Sequence, residues 1–318
     1  MKYLSSILFP LFLLSSIFIT SCTKDDNTES RKEITTLALT TDVSADSLKK
    51  YVMWLEEKGT RFALADNHRR IAVDIRNKYV RLGYSDTRLD SFLINKTYNS
   101  IAYEQWQYNV IATLEGSTNP DSVCIVGAHY DNILKSGAGD PFLLTYGAND
   151  NASGVAAAFE LARVMKKNHY SPKNTIRFIA FSSEEIGLLG SSYQAGKSRT
   201  KGEKIKIMLN NDMIAYEPGS DKSGWIVNIM DYDNSTDLMN KVQLLAEKYT
   251  VLKYVNDNSL NKKSDSYPYS ANGFKALFFI SASNDPNYHT LNDISAYCNF
   301  EYCREIVNIS CAILVDSN

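Results

Sequence analysis

Imidazole and carboxylate side chains stand at five places just beyond apolar runs of this chain. His129 follows the run 123–128, Glu184 and Glu185 follow 175–181, and Asp212 follows 204–210. His289 lies past 276–281, and Asp150 opens Asp150-Asn151-Ala152-Ser153-Gly154, which leads into a helical pattern. Each has an ordinary reading alone. A histidine after a strand is commonly a hydrogen-bonded surface residue, and Asp150 could simply cap the helix that follows. Glu184-Glu185 could be a solvated first turn favoured by the helix dipole, and Asp212 could cap a turn. Five such accidents at one sheet edge would leave like-charged carboxylates repelling one another. A pair of divalent metal ions removes that penalty, and a His/carboxylate donor set with open coordination suits Zn²⁺.

The elements that must position these groups alternate between strands and helices. Asp46-Ser47 precedes a helical pattern over 48–55 that Gly59 closes, and Asn67 precedes one over 68–82 with Ile71, Ile75, Tyr79 and Leu82 on one face. Strands are predicted at 89–98, 108–114, 122–128, 175–181, 204–210, 224–230 and 276–281. Helices are predicted at 154–167, from 187 to about 195, at 235–249 and at 302–315. Such alternation indicates a three-layer α/β/α sandwich on a mostly parallel mixed sheet, whose sites lie at the carboxyl ends of the strands. No internal repeat is visible.

The ordered motifs resemble the M28 family of zinc aminopeptidases. They are Asn109-Val110-Ile111-Ala112, His129-Tyr130-Asp131, Gly147-Ala148-Asn149-Asp150-Asn151-Ala152-Ser153-Gly154, Glu184-Glu185-Ile186-Gly187-Leu188-Leu189-Gly190-Ser191, Asn211-Asp212-Met213-Ile214, Ser264-Asp265-Ser266 and His289-Thr290-Leu291-Asn292-Asp293. The likeness starts at Gly59-Thr60-Arg61 and runs to the C-terminus. It implies a zinc-exopeptidase-like domain over 41–318 holding two Zn²⁺ or another divalent metal. Asp150 would bridge the ions, His129 and Asp212 would complete one, and Glu185 and His289 the other. Glu184 would be the general base, and Asp131 and Asp293 would orient the imidazoles of His129 and His289. Asp265 and Tyr267 are placed near the substrate pocket, although Ser264 stands where many members carry His. The implied activity is removal of the N-terminal residue from peptides with a free N-terminus. A single-zinc glutaminyl cyclase shares most of these residues, and a surface lipoprotein that binds peptide without turnover is the non-enzymatic alternative. Aromatics in the loops 131–149 and 256–274 (Phe142, Tyr146, Tyr267, Tyr269, Phe274) suggest an apolar or aromatic preference.

The 318 residues include 44% hydrophobic types and 15 Gly, the make-up of a folded domain rather than a disordered chain. A net charge of −2 provides no basic footprint for nucleic acid. Residues 1–22 read as a signal peptide: Lys2, then an apolar stretch over 7–19 that is too short to span a bilayer. Ile19-Thr20-Ser21-Cys22 resembles a bacterial lipobox, which makes Cys22 the lipidated first residue of the mature chain. Thr23-Lys24-Asp25-Asp26 resembles a surface-export signal. The expectation is an exported protein, lipid-anchored to a bacterial outer membrane on its periplasmic or outer face. Residues 23–40 are polar and read as a flexible tether. Of the other cysteines, Cys124 fits a buried thiol. Cys298, Cys303 and Cys311 fit either a disulfide or small core residues.

Overall fold

The computed structural model describes residues 23–318. The signal peptide and Cys22 therefore lie outside the described residues. Eight strands form one mixed sheet in the order β1-β2-β4-β3-β5-β8-β6-β7. They are β1 (Thr87–Tyr98), β2 (Ile101–Leu114), β3 (Asn119–His129), β4 (Asn174–Phe181), β5 (Lys204–Asn211), β6 (Ile226–Met230), β7 (Lys253–Val255) and β8 (Ala276–Ser281). The centre β4-β3-β5-β8 is parallel. β1 and β2 pair as an antiparallel hairpin, and β6 runs antiparallel to β8.

Both faces of the sheet are covered, which explains why β3 is apolar at successive positions rather than alternate ones. Cys124, Val126 and Ala128 face a core closed by α2 (Ala45–Glu56), α3 (His68–Arg81), α4 (Ser153–Lys167), α6 (Met239–Tyr249) and α8 (Phe300–Ser317). Val123 and Ile125 face a smaller core with Ala195 of α5 (Leu189–Thr200) and Tyr269 of α7 (Ser266–Ala271). The three-layer prediction is met.

Residues 23–40 differ from the expected tether: Thr23–Asp42 is a helix, α1. Leu39 is its one fully buried apolar side chain, so no hydrophobic period announced the helix. Polar contacts do much of the anchoring. Lys32 Nζ donates to the Asp316 carbonyl at 2.5 Å, and the Asp42 carboxylate accepts from Lys167 and Asn168 at 2.7 Å each. Thr36 and Thr40 are buried with their hydroxyls bonded to the carbonyls four residues back. No helix among the described residues is long and apolar enough to cross a membrane.

Two short elements, β7 and α7, have no counterpart in the predicted set. The first part of β2 was also missed. Residues 101–109 pair only with β1, so this part of the hairpin extends beyond the sheet. Its fully buried side chains there are Gln107 and Asn109, both polar, so it lacks the apolar alternation that reveals a half-buried strand. Cys124, Cys298, Cys303 and Cys311 are free thiols, so the clustered cysteines are packing residues rather than a disulfide.

Candidate metal centre

The carboxyl ends of β3, β4, β5 and β8 open into one cleft of about 810 Å³, and the five groups of residues meet at its floor. Asp150 lies between two imidazoles: its Oδ1 is 3.3 Å from His129 Nε2, and its Oδ2 is 3.1 Å from His289 Nε2. Asp212 Oδ1 is 3.3 Å from His129 Nε2, and Glu185 Oε2 is 3.0 Å from His289 Nε2. Glu184 Oε2 stands further off, 4.0 Å from His129 Nε2.

These donors fit divalent metal. Each of the sets His129/Glu184/Asp212 and His129/Asp150/Glu185 brings its ligand atoms within 4.8 Å of one another. Glu185 Oε1 and His289 Nε2 are buried without a hydrogen-bond partner, despite the close approach of the imidazole to two carboxylates. Donors aimed at a common ion rather than at each other have this geometry, and carboxylate with imidazole nitrogen is a zinc donor set.

The backbone around each group explains its placement. Asp131 is fully buried, and its carboxylate accepts from the amides of Glu184 at 3.0 Å and Glu185 at 3.2 Å. It thereby fixes both glutamates, while its carbonyl, 3.0 Å from His129 Nδ1, orients that ring and leaves Nε2 facing the cleft. The contact with His129 Nδ1 is made by the Asp131 backbone carbonyl, while the carboxylate, engaged by the next strand end, stands 3.8 Å from the same nitrogen. Asp293 departs from expectation. Its carboxylate bonds the amides of Asn149 at 2.7 Å and Asp150 at 3.0 Å, so it sets the shared aspartate rather than the His289 ring. His289 instead stacks on Tyr288, with centroids 3.7 Å apart.

Ser264 occupies the position where His was noted as common. Its hydroxyl donates to Asp212 Oδ2 at 2.6 Å and accepts from Asn210 Nδ2 at 2.6 Å. Asp265 is buried below the cleft, beside Ser191, with neither oxygen in a well-formed hydrogen bond. Tyr267 packs on the smaller core. Neither side chain lines the cleft, although Asp265 lies close enough behind its floor to act on Glu184 and His129. The aromatic loops are likewise structural: Phe142 packs on Phe62, and Tyr269 and Phe274 are buried with Phe181. The walls come instead from Leu188, Met213, residues 255–263 and residues 278–289, with Phe278 and Tyr288 as the aromatic members.

Sequence reading named Arg61 only as a marker and missed its role. Its buried guanidinium donates to the carbonyls of Tyr130 at 2.8 Å, Leu55 at 3.2 Å, and Tyr146 and Gly147 at 2.7 Å each. It ties the chain after His129 to the chain before Asp150. Two glycines allow close approach nearby. A Cβ on Gly154 would lie 2.0 Å from the Asn211 carbonyl oxygen, and one on Gly190 would lie 2.3 Å from that of Ser182. Ser183, Met213 and His289 hold left-handed φ values of 62°, 54° and 55° at or beside the cleft-floor residues, conformations that cost energy outside glycine.

The buried charges act strongly on one another. Burial raises Glu184 well above the usual carboxylate range and Glu185 to about 8. Burial opposes charge on both imidazoles, yet Asp212 and Glu184 draw His129 well upward, and Asp150 and Glu185 raise His289 to about 10. Burial would also raise Asp150, but its contacts with His129 and His289 outweigh that and hold it low.

Known proteins resemble this chain. The model of peptidase family M28 matches residues 109–314, well over half of the chain. Leucine aminopeptidase 1 of Metarhizium robertsii is 31% identical over 216 residues, 65% of this chain and 53% of that protein. The chain thus spans about half the length of the curated relatives it matches. The Legionella pneumophila LapA aminopeptidase superposes with a TM-score of 0.73 at 21% identity, covering 89% of this chain and 74% of that one. A Bacteroides thetaiotaomicron glutaminyl cyclase superposes at 0.69 with 18% identity, covering 86% and 98%. At those identities the structures speak for the shared fold, whereas the family match spans every strand end that supplies the cleft floor: the chain belongs to peptidase family M28.

Proposed function

We propose that this protein is a two-zinc aminopeptidase that hydrolyses the N-terminal residue from peptides. The observation that carries the reading is Asp150, whose two oxygens each face a different imidazole. Asp150, His129 and Asp212 would hold one ion, and Asp150, Glu185 and His289 the other. When bound, such a pair lowers the pKa of water and polarises the scissile carbonyl.

The chain's own groups do the rest. Asp131 fixes the turn from which Glu184 and Glu185 diverge, so one carboxylate serves as a ligand and the other is left for proton transfer. Glu184 takes the proton of the attacking water and returns it to the leaving amine nitrogen, a role suited to a carboxyl whose proton affinity burial has raised. Ser264 holds the second oxygen of Asp212, and Asp293 holds the backbone of Asp150. The leader supports delivery of this domain as an exported lipoprotein anchored through Cys22. The cyclase reading is favoured by one observation, the similar coverage of a solved glutaminyl cyclase.

Mass spectrometry of a mixed peptide pool separates the readings. The pool holds free, N-acetylated and N-terminal Gln peptides, incubated with and without a chelator. Chelator-sensitive loss of single residues from free N-termini only is the expected result. Loss of ammonia from Gln peptides that keep their length would replace the peptidase with the cyclase, and no change in any peptide would favour binding without turnover.

A further inference from the structure

The cleft is acidic at its floor, and its wall carries two lysines. Its floor carries Asp150, Glu184, Glu185 and Asp212, whereas the segment 255–263 brings Lys262 and Lys263 to the same cleft. Both lysines are exposed, and among the described residues neither ammonium has an ion-pair or hydrogen-bond partner. The other carboxylates of the walls, Asp257 and Asp285, are held in place by hydrogen bonds from neutral donors and pair with neither lysine. Asp257 accepts from the Ser259 amide at 3.0 Å, and Asp285 accepts from Asn149 Nδ2 and the Asn287 amide at 2.8 Å each.

The segment that presents these lysines is firmly built. Asn228 exchanges two hydrogen bonds with the backbone of Asp257, each 3.0 Å. Asn258 Nδ2 donates to Asp231 Oδ1 at 2.7 Å while its Oδ1 accepts from the Asp231 amide at 3.0 Å. The Tyr232 hydroxyl donates to the Asn261 carbonyl at 2.5 Å, and the Lys263 amide bonds the Leu260 carbonyl at 2.9 Å. Anchoring of this density fixes the backbone from which the ammonium groups project, reducing the ordering cost of a contact made there.

We propose that Lys262 and Lys263 form a carboxylate-binding rim for the part of the peptide that leaves, so that substrates bearing a carboxylate a few residues beyond the scissile bond are preferred. The inference rests on the aminopeptidase reading. With the reacting bond at the buried floor and only one residue released, the remaining peptide must run outward along the walls. A negative charge on it meets two unpaired cations there. The carboxylate comes either from the C-terminus of a short peptide or from an acidic side chain.

The test compares kcat/KM on four peptides with one N-terminal residue: Leu-Ala-Ala as free acid and as amide, and Leu-Ala-Glu-amide against Leu-Ala-Gln-amide. The wild-type protein should favour the anionic member of at least one pair by about five- to ten-fold at low salt, within the roughly two- to thirty-fold that two exposed ion pairs supply. The pair that shows the preference identifies the source of the carboxylate. The ratio should approach one in the Lys262→Ala/Lys263→Ala protein and in 0.5 M salt, while Lys275→Ala, whose ammonium pairs with Asp237 elsewhere, should keep it. Equal rates within both wild-type pairs, or a preference that survives in the double variant, would overturn the proposal and leave the peptidase standing. Failure to cleave any of the four would overturn the aminopeptidase reading and this inference with it.

Discussion

Replacing Arg61 with Met should separate the framework of the site from its ligands. The side chain is fully buried and touches no carboxylate within hydrogen-bonding reach; its partners are four carbonyl oxygens. Two of these have another donor: Leu55 accepts from the Lys58 amide and Gly147 from the Ala152 amide, each at 3.1 Å. Tyr130 and Tyr146 would lose the donor that satisfies them. An unsatisfied buried carbonyl costs about 1–3 kcal/mol. Relief of a charge that burial already disfavours, with the guanidinium lowered to about 10, offsets part of this. The net loss should be about 3 kcal/mol, equivalent to about 6–12 °C in Tm for a domain of this size. Because Tyr130 follows His129 and Gly147 lies three residues before Asp150, zinc affinity should also fall, by about ten-fold or more. Thermal unfolding of the metal-free protein gives the first quantity and calorimetric zinc titration the second. A Tm within 2 °C of wild type would refute the hydrogen-bond argument, and an unchanged zinc affinity would confine Arg61 to stability.

Glu184→Gln should lower kcat by about 10²–10⁴ while metal content stays at the wild-type level by elemental analysis; loss of metal would exchange the roles of Glu184 and Glu185. Asp293→Ala frees the amides of Asn149 and Asp150 and should weaken zinc binding about ten- to a hundred-fold, read by competition with a chromophoric chelator. Full chelation should lower Tm by several degrees, since an ion that binds only the folded chain stabilises it; an unchanged Tm would argue against folded-state metal. Glu203 is desolvated, but hydrogen bonds from Arg177 and Ser198 outweigh that and depress its pKa. Its contribution should be present above the unfolded pKa of about 4.3 and be lost as pH falls through the lower folded value. Urea midpoints of wild type and Glu203→Gln should therefore converge in acid, and a gap that persists at pH 2 would refute that assignment.

The central strands were legible because both faces of the sheet are buried and their apolar runs end abruptly at polar residues. Val123 to Ala128 followed by His129 is the clearest case. Helix α1 was not legible, since Leu39 is its one fully buried apolar residue and its anchors are Lys32 and Asp42. At the site, spacing brought out the groups that now converge on the cleft floor. It could not show what surrounds them. Asp131 and Asp293 were recognised as supports, but whether a support acts through its carboxylate or its carbonyl depends on backbone paths that no local pattern encodes. Arg61 was hidden for the same reason: an arginine partnered by carbonyls from three separate segments leaves no sequence signal. The pocket expectation failed through a different confusion. Aromatics in polar loops can be recognition residues or the packing that holds those loops, and Phe142, Tyr269 and Phe274 are the latter.

The distribution of buried charge connects these observations. Beneath and beside the four floor carboxylates lie Asp131, Asp265 and Asp293, all buried, and burial pushes Asp265 and Asp293 to about 7 each. The nearby buried cation is Arg61, whose charge Asp293, Asp131 and Asp150 favour. Such an excess of acid would favour an expanded chain unless something offset it. Hydrogen bonds from backbone amides do so for Asp131 and Asp293, and the two imidazoles do so for Asp150. Glu185 has no comparable provision: one of its oxygens is buried and unpartnered. The remaining imbalance is concentrated where Asp150, Glu185 and Asp212 face the cleft, and divalent cations there would neutralise it at the point where polarising a carbonyl is useful. Asp131 and Asp293 are thus compensated by the protein's own amides, Asp265 is not, and the carboxylates facing the cleft are left for metal, which is why the framework of Asp131, Asp293 and Arg61 can be tested apart from the ligands.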